Sequence, residues 1–169
     1  MADKLEHVLR EWVSKEYFTA WMEAHPEAFE DAIQLATSEE TLIGWRAAWL
    51  VVHRMQPNDI RLRNNLADIV RVIPERESGH QRELLKILLK MDIPEELEGF
   101  LFDACMGIWE QVGKSSSVRS IAMQYIVRVL KKYPELISEV QFITEERYLE
   151  PLSPGIRGGV ERLIAGVRH

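Results

Sequence analysis

Two segments, Trp45-Arg46-Ala47-Ala48 and Val118-Arg119-Ser120-Ile121-Ala122, place an arginine directly after an apolar residue and directly before small or apolar ones. Gln81-Arg82 and Ile156-Arg157 put an arginine at the same rhythm, so that Arg46, Arg82, Arg119 and Arg157 are spaced by 36, 37 and 38 residues. Prolines keep step: Pro26, Pro57, Pro94 and Pro134 precede these arginines by 20, 25, 25 and 23 residues. A fixed period of this size marks stacked units, each too small to bury its apolar face alone.

Between these markers the chain is helical in pattern. Apolar residues recur at i, i+3, i+4 and i+7 in Leu5, Val8, Leu9, Trp12, in Leu62, Leu66, Ile69, Val70, Ile73, and through Leu97 to Val112. That period predicts one buried stripe per helix. It predicts helices over about 3–13, 16–24, 26–36, 40–55, 58–73, 79–91, 94–112, 116–132, 134–147 and 154–167. Thr37 with Glu40, Ser78 with Gln81 and Asp92 with Glu95 have the spacing of capping boxes, and Ser115 can cap the helix after Gly113. Proline suits a helix's first turn, so Pro26, Pro57, Pro94, Pro134 and Pro154 read as starts. The segments 40–55 and 79–91 are apolar around their whole circumference and are expected to be the most buried. The fold class is all-α, and no linker or low-complexity tract divides residues 1–169.

The apolar-Arg pair followed by small residues resembles the HEAT and armadillo-like helical repeats. The resemblance implies a right-handed α-solenoid of about four helix pairs over 26–56, 57–92, 94–133 and 134–169, with an amino-terminal helical cap over 1–24. It implies a convex row of first helices and a concave row of second helices, and arginines that bond between repeats. The chain departs from the pattern in lacking an aspartate about six positions before each arginine, in Gln81, and in Gly158-Gly159.

Composition narrows the function classes. The 169 residues carry 21 basic and 27 acidic side chains, a net charge of −6, which repels polyanions and argues against a general nucleic-acid coat protein. No stretch approaches the ~20 apolar residues of a bilayer span. A single cysteine, Cys105, and a charged start at Met1-Ala2-Asp3-Lys4 lead to the expectation of a cytoplasmic protein. Residues 1–44 carry three basic against ten acidic side chains, whereas 45–80 carry six arginines, no lysine and four acids. Those arginines suit carboxylate or phosphate recognition, or pairing with the acidic cap.

No catalytic pattern survives inspection. Gly113-Lys114-Ser115 ends like a phosphate-binding loop, but Ile108 stands where its first glycine belongs. His7, His25, His53, His80 and His169 form no pair at ligand spacing, and neither a metal nor a cofactor is expected. Cys105 and Trp12, Trp21, Trp45, Trp49 and Trp109 fall on apolar stripes and read as core. Glu95-Glu96 and Glu145-Glu146 sit at helix starts or on solvated faces, where they complement the dipole or dissolve the surface.

Three functions follow. The first is a non-enzymatic protein-interaction module whose concave face binds a protein partner through Arg46, Arg82, Arg119 and Arg157 with His53, Arg54 and Lys86. The second, by analogy with alkylpurine DNA glycosylases of similar build, uses Asp103 and Trp109; the acidic balance opposes it. The third is a self-associating regulatory subunit, in which only Arg168-His169 covers the last helix.

Overall fold

The computed structural model describes residues 2–167; Arg168 and His169, on which the self-association reading leans, lie outside them. Among the described residues every regular element is helical: α1 (Ala2–Arg10), α2 (Lys15–Ala24), α3 (Phe29–Leu35), α4 (Thr41–Arg54), α5 (Leu66–Val72), α6 (Ser78–Leu89), α7 (Glu95–Glu110), α8 (Ser116–Lys132), α9 (Glu146–Leu149) and α10 (Pro154–Ala165). The chain divides into two compact units, Met1–Ile93 and Pro94–His169. The cap and repeats expected over 1–24, 26–56 and 57–92 fall within the first, and those expected over 94–133 and 134–169 within the second.

In the first unit α4 is the central element, packed against α1, α3 and α6. Ile43, Gly44 and the run from Ala47 to Val52 are buried on it, as the apolar circumference predicts, and α6 buries Leu84, Leu85, Ile87 and Leu88. In the second unit α8 takes the same place, packed between α7 and α10, and it matches α4 and α6 in burial. Its apolar face is continuous from Val118 to Leu130. Each of these second helices has neighbours on more than one side, and this is why its apolar positions wrap around it.

The first helices are less regular than their periodicity predicts. Unbroken helices are expected over 26–36, 58–73 and 134–147, but Pro26–Ala28, Ile60–Asn65 and Pro134–Thr144 are 3₁₀ turns. In the last of these Ile137, Val140 and Ile143 recur every three residues, the period of a 3₁₀ turn rather than of an α-helix, and Val140 itself leaves helical geometry at φ −115°. The chain after Arg10 also leaves the predicted 3–13 helix, and Ser14 caps α2 by accepting from the Tyr17 amide at 3.0 Å.

Caps differ too. Ser115 accepts from Val118 N at 3.4 Å and starts α8 as expected. The three capping boxes do not form: Thr37 donates to Gln34 O, the Gln81 amide donates to Ile73 O at 2.7 Å, and α7 begins behind Pro94 without a side-chain cap. Asp59 supplies a cap the sequence reading passed over, accepting from Arg61 N at 3.1 Å and Gln56 N at 3.1 Å.

The tightest approach in the first unit is at Gly44, where a Cβ would lie inside the His80 ring and 2.8 Å from the Ser38 carbonyl oxygen. His80 Nε2 donates to Ala36 O at 2.6 Å, so the ring is the neutral Nε2–H tautomer, and its buried Nδ1 has no hydrogen-bond partner. Gly44→Ala is expected to destabilise by about 1–3 kcal/mol through overpacking. Gly107→Ala, on the open face of α7 with nothing within 4 Å, should stabilise by up to about 1 kcal/mol. Urea unfolding of both variants checks the contrast. Burial lowers the pKa of His80 from its ordinary value of 6.5, so the unfolded chain takes up the proton first as pH falls. Stability is therefore complete above that value and declines below it. His80→Gln, which keeps a donor for Ala36, should flatten the decline measured by thermal melting.

Candidate functional site

Arg46, Arg82, Arg119 and Arg157 lie near the amino ends of the second helices and His53, Arg54 and Lys86 toward the carboxyl ends of α4 and α6, and helix geometry explains what Arg46 and Arg119 do. The last carbonyls of a helix have no partner within it and carry partial negative charge, so a basic donor nearby both bonds them and opposes the dipole. Arg46 on α4 donates through Nη1 to Leu9 O at 2.6 Å and to Arg10 O at 3.3 Å, closing the end of α1. Its guanidinium lies over the Trp12 ring at 4.9 Å.

Arg119 on α8 is fully buried. Its Nε donates to Trp109 O at 2.9 Å, at the end of α7, and its Nη2 to Tyr148 O at 2.7 Å, in α9. The guanidinium also stacks on the Trp109 ring at 4.4 Å. One side chain thus ties together the first helices of two successive repeats. Burial lowers the pKa of both Arg46 and Arg119, yet guanidinium remains charged, its donors directed at carbonyl oxygens.

Arg82 does not take this part in its own repeat. Gln81 bonds Ile73 O at the end of α5, while His80 bonds Ala36 O and Arg76 donates to Thr37 O at 2.7 Å, both at the end of α3. Arg157 is different again: it grips Glu146 at 2.7 and 2.8 Å and Glu161 at 2.7 Å, and these carboxylates raise its pKa. Four arginines at one rhythm therefore have four environments.

A HEAT repeat domain model matches residues 2–167. The chain belongs to the HEAT repeat family. No curated protein and no solved structure matches it. Within this HEAT repeat chain the arginine row is chiefly internal: Arg119 has no surface to offer a partner, and Arg46 and Arg157 are committed to backbone or carboxylate.

What remains accessible in the first unit lies on α4 and α6. Trp45, Trp49 and His53 recur every four residues along α4. His53 is exposed, stacks on Trp49 at 3.8 Å and places Nδ1 2.8 Å from Trp49 O, which turns Nε2 outward. Trp45 is half-buried, and its indole edge faces Gly79 of α6 at 3.7 Å from where a Cβ would sit. One and two turns on, Arg82 Nε and Lys86 Nζ approach Glu83 Oε1 at 3.3 and 3.4 Å. Glu83 is buried, and its second oxygen has no hydrogen-bond partner. Arg54 instead faces Glu23 of the cap at 3.4 Å, as pairing between the arginine-rich and acidic regions would have it.

Trp12, read from the sequence as core, gathers Phe18, Trp45 and Trp49 at centroid distances of 4.4, 6.0 and 6.0 Å, although it lies between α1 and α2 rather than in the predicted helix. Glu83 escaped the sequence reading, and only the all-round burial of its helix could have pointed to it. Gln81 was visible as a departure from the repeat pattern, and that departure is a working hydrogen bond.

The Asp103–Trp109 pair of the glycosylase analogy does not form a base-binding site. Trp109 is fully buried, donates to Ile143 O at 2.9 Å and lies under Arg119, whereas Asp103 is exposed. Cys105 is buried, and burial pushes its thiol pKa up, the opposite of an activated nucleophile. Among the described residues no cluster of His, Cys, Asp or Glu is arranged to hold a metal, and no helix is long and apolar enough to cross a membrane.

Arg119→Ala removes a buried side chain and strands two carbonyls, and is expected to cost about 3–5 kcal/mol. Arg157→Ala, at the equivalent repeat position on the surface, should leave the unfolding midpoint near that of the wild type. Chemical denaturation of the pair tests the assignment.

Proposed function

We propose that this HEAT repeat protein is a non-enzymatic interaction module whose first unit docks a protein partner on the α4–α6 face, in a reducing, cytoplasmic setting. The observation that carries the reading is the half-exposed Trp45 edge over Gly79, with Arg82 and Lys86 at successive turns beside it. Tryptophan and arginine at a partly open surface supply most of the binding free energy in protein interfaces. Gly79 leaves the indole edge accessible where any larger residue would cover it. Arg82 and Lys86 bring two positive charges against the one negative charge of Glu83, so the face favours a partner with acidic residues around an apolar anchor. His53, with Nε2 outward, adds a hydrogen-bonding group on the same helix.

Arg82 and Lys86 also neutralise the buried Glu83, so the test variant removes that charge with them. Arg82→Glu combined with Lys86→Glu in a Glu83→Gln background is expected to abolish capture of a specific protein from the native cell, as read by affinity purification and mass spectrometry, while thermal melting stays cooperative. Trp45→Ala should weaken the same capture. An unchanged set of retained proteins in the charge-reversed variant would overturn the docking face. Duplex DNA at low salt should bind no more tightly than micromolar, and light scattering on the purified protein separates docking of a partner from self-association.

A further inference from the structure

In the second unit α8 and α10 flank an open groove of about 450 Å³. Ser120, Gln124 and Lys131 line it from α8, and Ile156, Gly159 and Leu163 from α10, each set spaced to lie along one side of its helix. We propose that this groove binds a short, extended, acidic segment of a partner protein. It is a site separate from the α4–α6 face and does not depend on it.

Helix α8 carries Arg119, Arg128, Lys131 and Lys132 and no acidic residue. Arg119 is used internally, and Lys132 pairs with Glu98 at 2.8 Å. On α10 the only acid, Glu161, is held by Arg157 at 2.7 Å, whose other partner is Glu146. Lys131 and Arg162 are left exposed in the groove, neither with an ion pair among the described residues. The second unit therefore presents two cations here although the chain as a whole is at −6.

The position of Arg162 adds to this. As helix side chains do, it leans back over the preceding turn, its Nη1 and Nη2 lying 3.5 and 3.8 Å from where side chains on Gly158 and Gly159 would begin. The guanidinium thus lies beside the two glycines, a turn back from the helix end. Gly158-Gly159 is the place where the repeat pattern calls for small side chains, and neither glycine puts a side chain of its own between the guanidinium and the groove.

The shape selects the class of ligand. From Ser120 to Lys131 the helix rises about 16 Å, the length of roughly five residues of extended chain. Gln124, exposed midway, offers a donor and an acceptor to a peptide backbone. Ile156 and Leu163 give an apolar wall for an aliphatic side chain. Alternation along an extended segment places that side chain against the wall while acidic neighbours reach Arg162 and Lys131. A lone phosphate would need donors converging on a point, and here they are strung along a trough.

Fluorescence anisotropy of the full chain with a short labelled peptide alternating Glu and Leu tests the proposal. Saturable binding that weakens with added salt is expected, and a peptide alternating Lys and Leu should not bind. Lys131→Glu combined with Arg162→Glu should weaken binding at least about tenfold with an unchanged melting temperature. Gly159→Leu, which fills the trough, should do the same, whereas Arg82→Glu with Lys86→Glu in the Glu83→Gln background should have no effect. Equal binding of the acidic and basic peptides would overturn the proposal, as would undiminished binding by the Lys131/Arg162 variant or displacement of the peptide by millimolar inorganic phosphate.

Discussion

Helix ends inside a stack must have their carbonyls satisfied, and this requirement organises the protein. A helix pair that stood alone could leave its last carbonyls to water. When the next pair packs against it, those carbonyls lose water and need donors from the neighbour. Arg119 meets the need in the second unit with two bonds to two first helices, and Arg46 meets it in the first unit at the end of α1. Because guanidinium is planar and carries several donors, one residue satisfies both neighbours and fills the space between them.

The same requirement explains why the repeats look degenerate. Nothing in it specifies arginine at one position; it specifies a donor within reach of a carbonyl. In the second repeat a glutamine, a histidine and an arginine share the task, with Gln81 on α5 and His80 and Arg76 on α3. Arg82, relieved of it, turns toward Glu83 and the surface. Arg157 keeps its place but pairs with the carboxylates of Glu146 and Glu161. Loss of the consensus residue at one site is thus compensated by chemistry one to six residues away, which a fixed pattern does not register.

The legible part of the fold was the part set by burial. The circumferentially apolar runs of α4 and α6 and the stripe of α8 gave their helices within a few residues, because a helix covered on several sides must be apolar on several sides. The first helices were less legible. Pro26 and Pro134 marked starts correctly, yet a proline start is compatible with a 3₁₀ turn, and the three-residue spacing of Ile137, Val140 and Ile143 passed for part of a longer α-period. Of the candidate residues, the arginine rhythm was real and its bonding role was foreseen in kind, but exposure was not: a lone sequence does not say that Arg119 is buried while Lys131 and Arg162 are open. The burial of Glu83, which stands between Arg82 and Leu84, depends on tertiary placement that local pattern does not carry.

Function in such a chain is found in what the stack leaves over. A donor committed to a carbonyl cannot leave it for a partner without exposing that carbonyl to an apolar environment, so residues that hold the repeats together are poor recognition residues. On the proposed reading, recognition falls instead to positions beside them on the same helices, where small residues open the surface. Gly79 next to Arg82 and Gly158-Gly159 beneath Arg162 share this logic in two different repeats. In each, a glycine in a second helix gives up packing area, which a folded core would otherwise favour filling, and a polar or aromatic group gains an accessible face. Gly79 lies three residues before its repeat arginine and Gly158-Gly159 directly follow theirs, so the two openings are separate departures from the same packing rule.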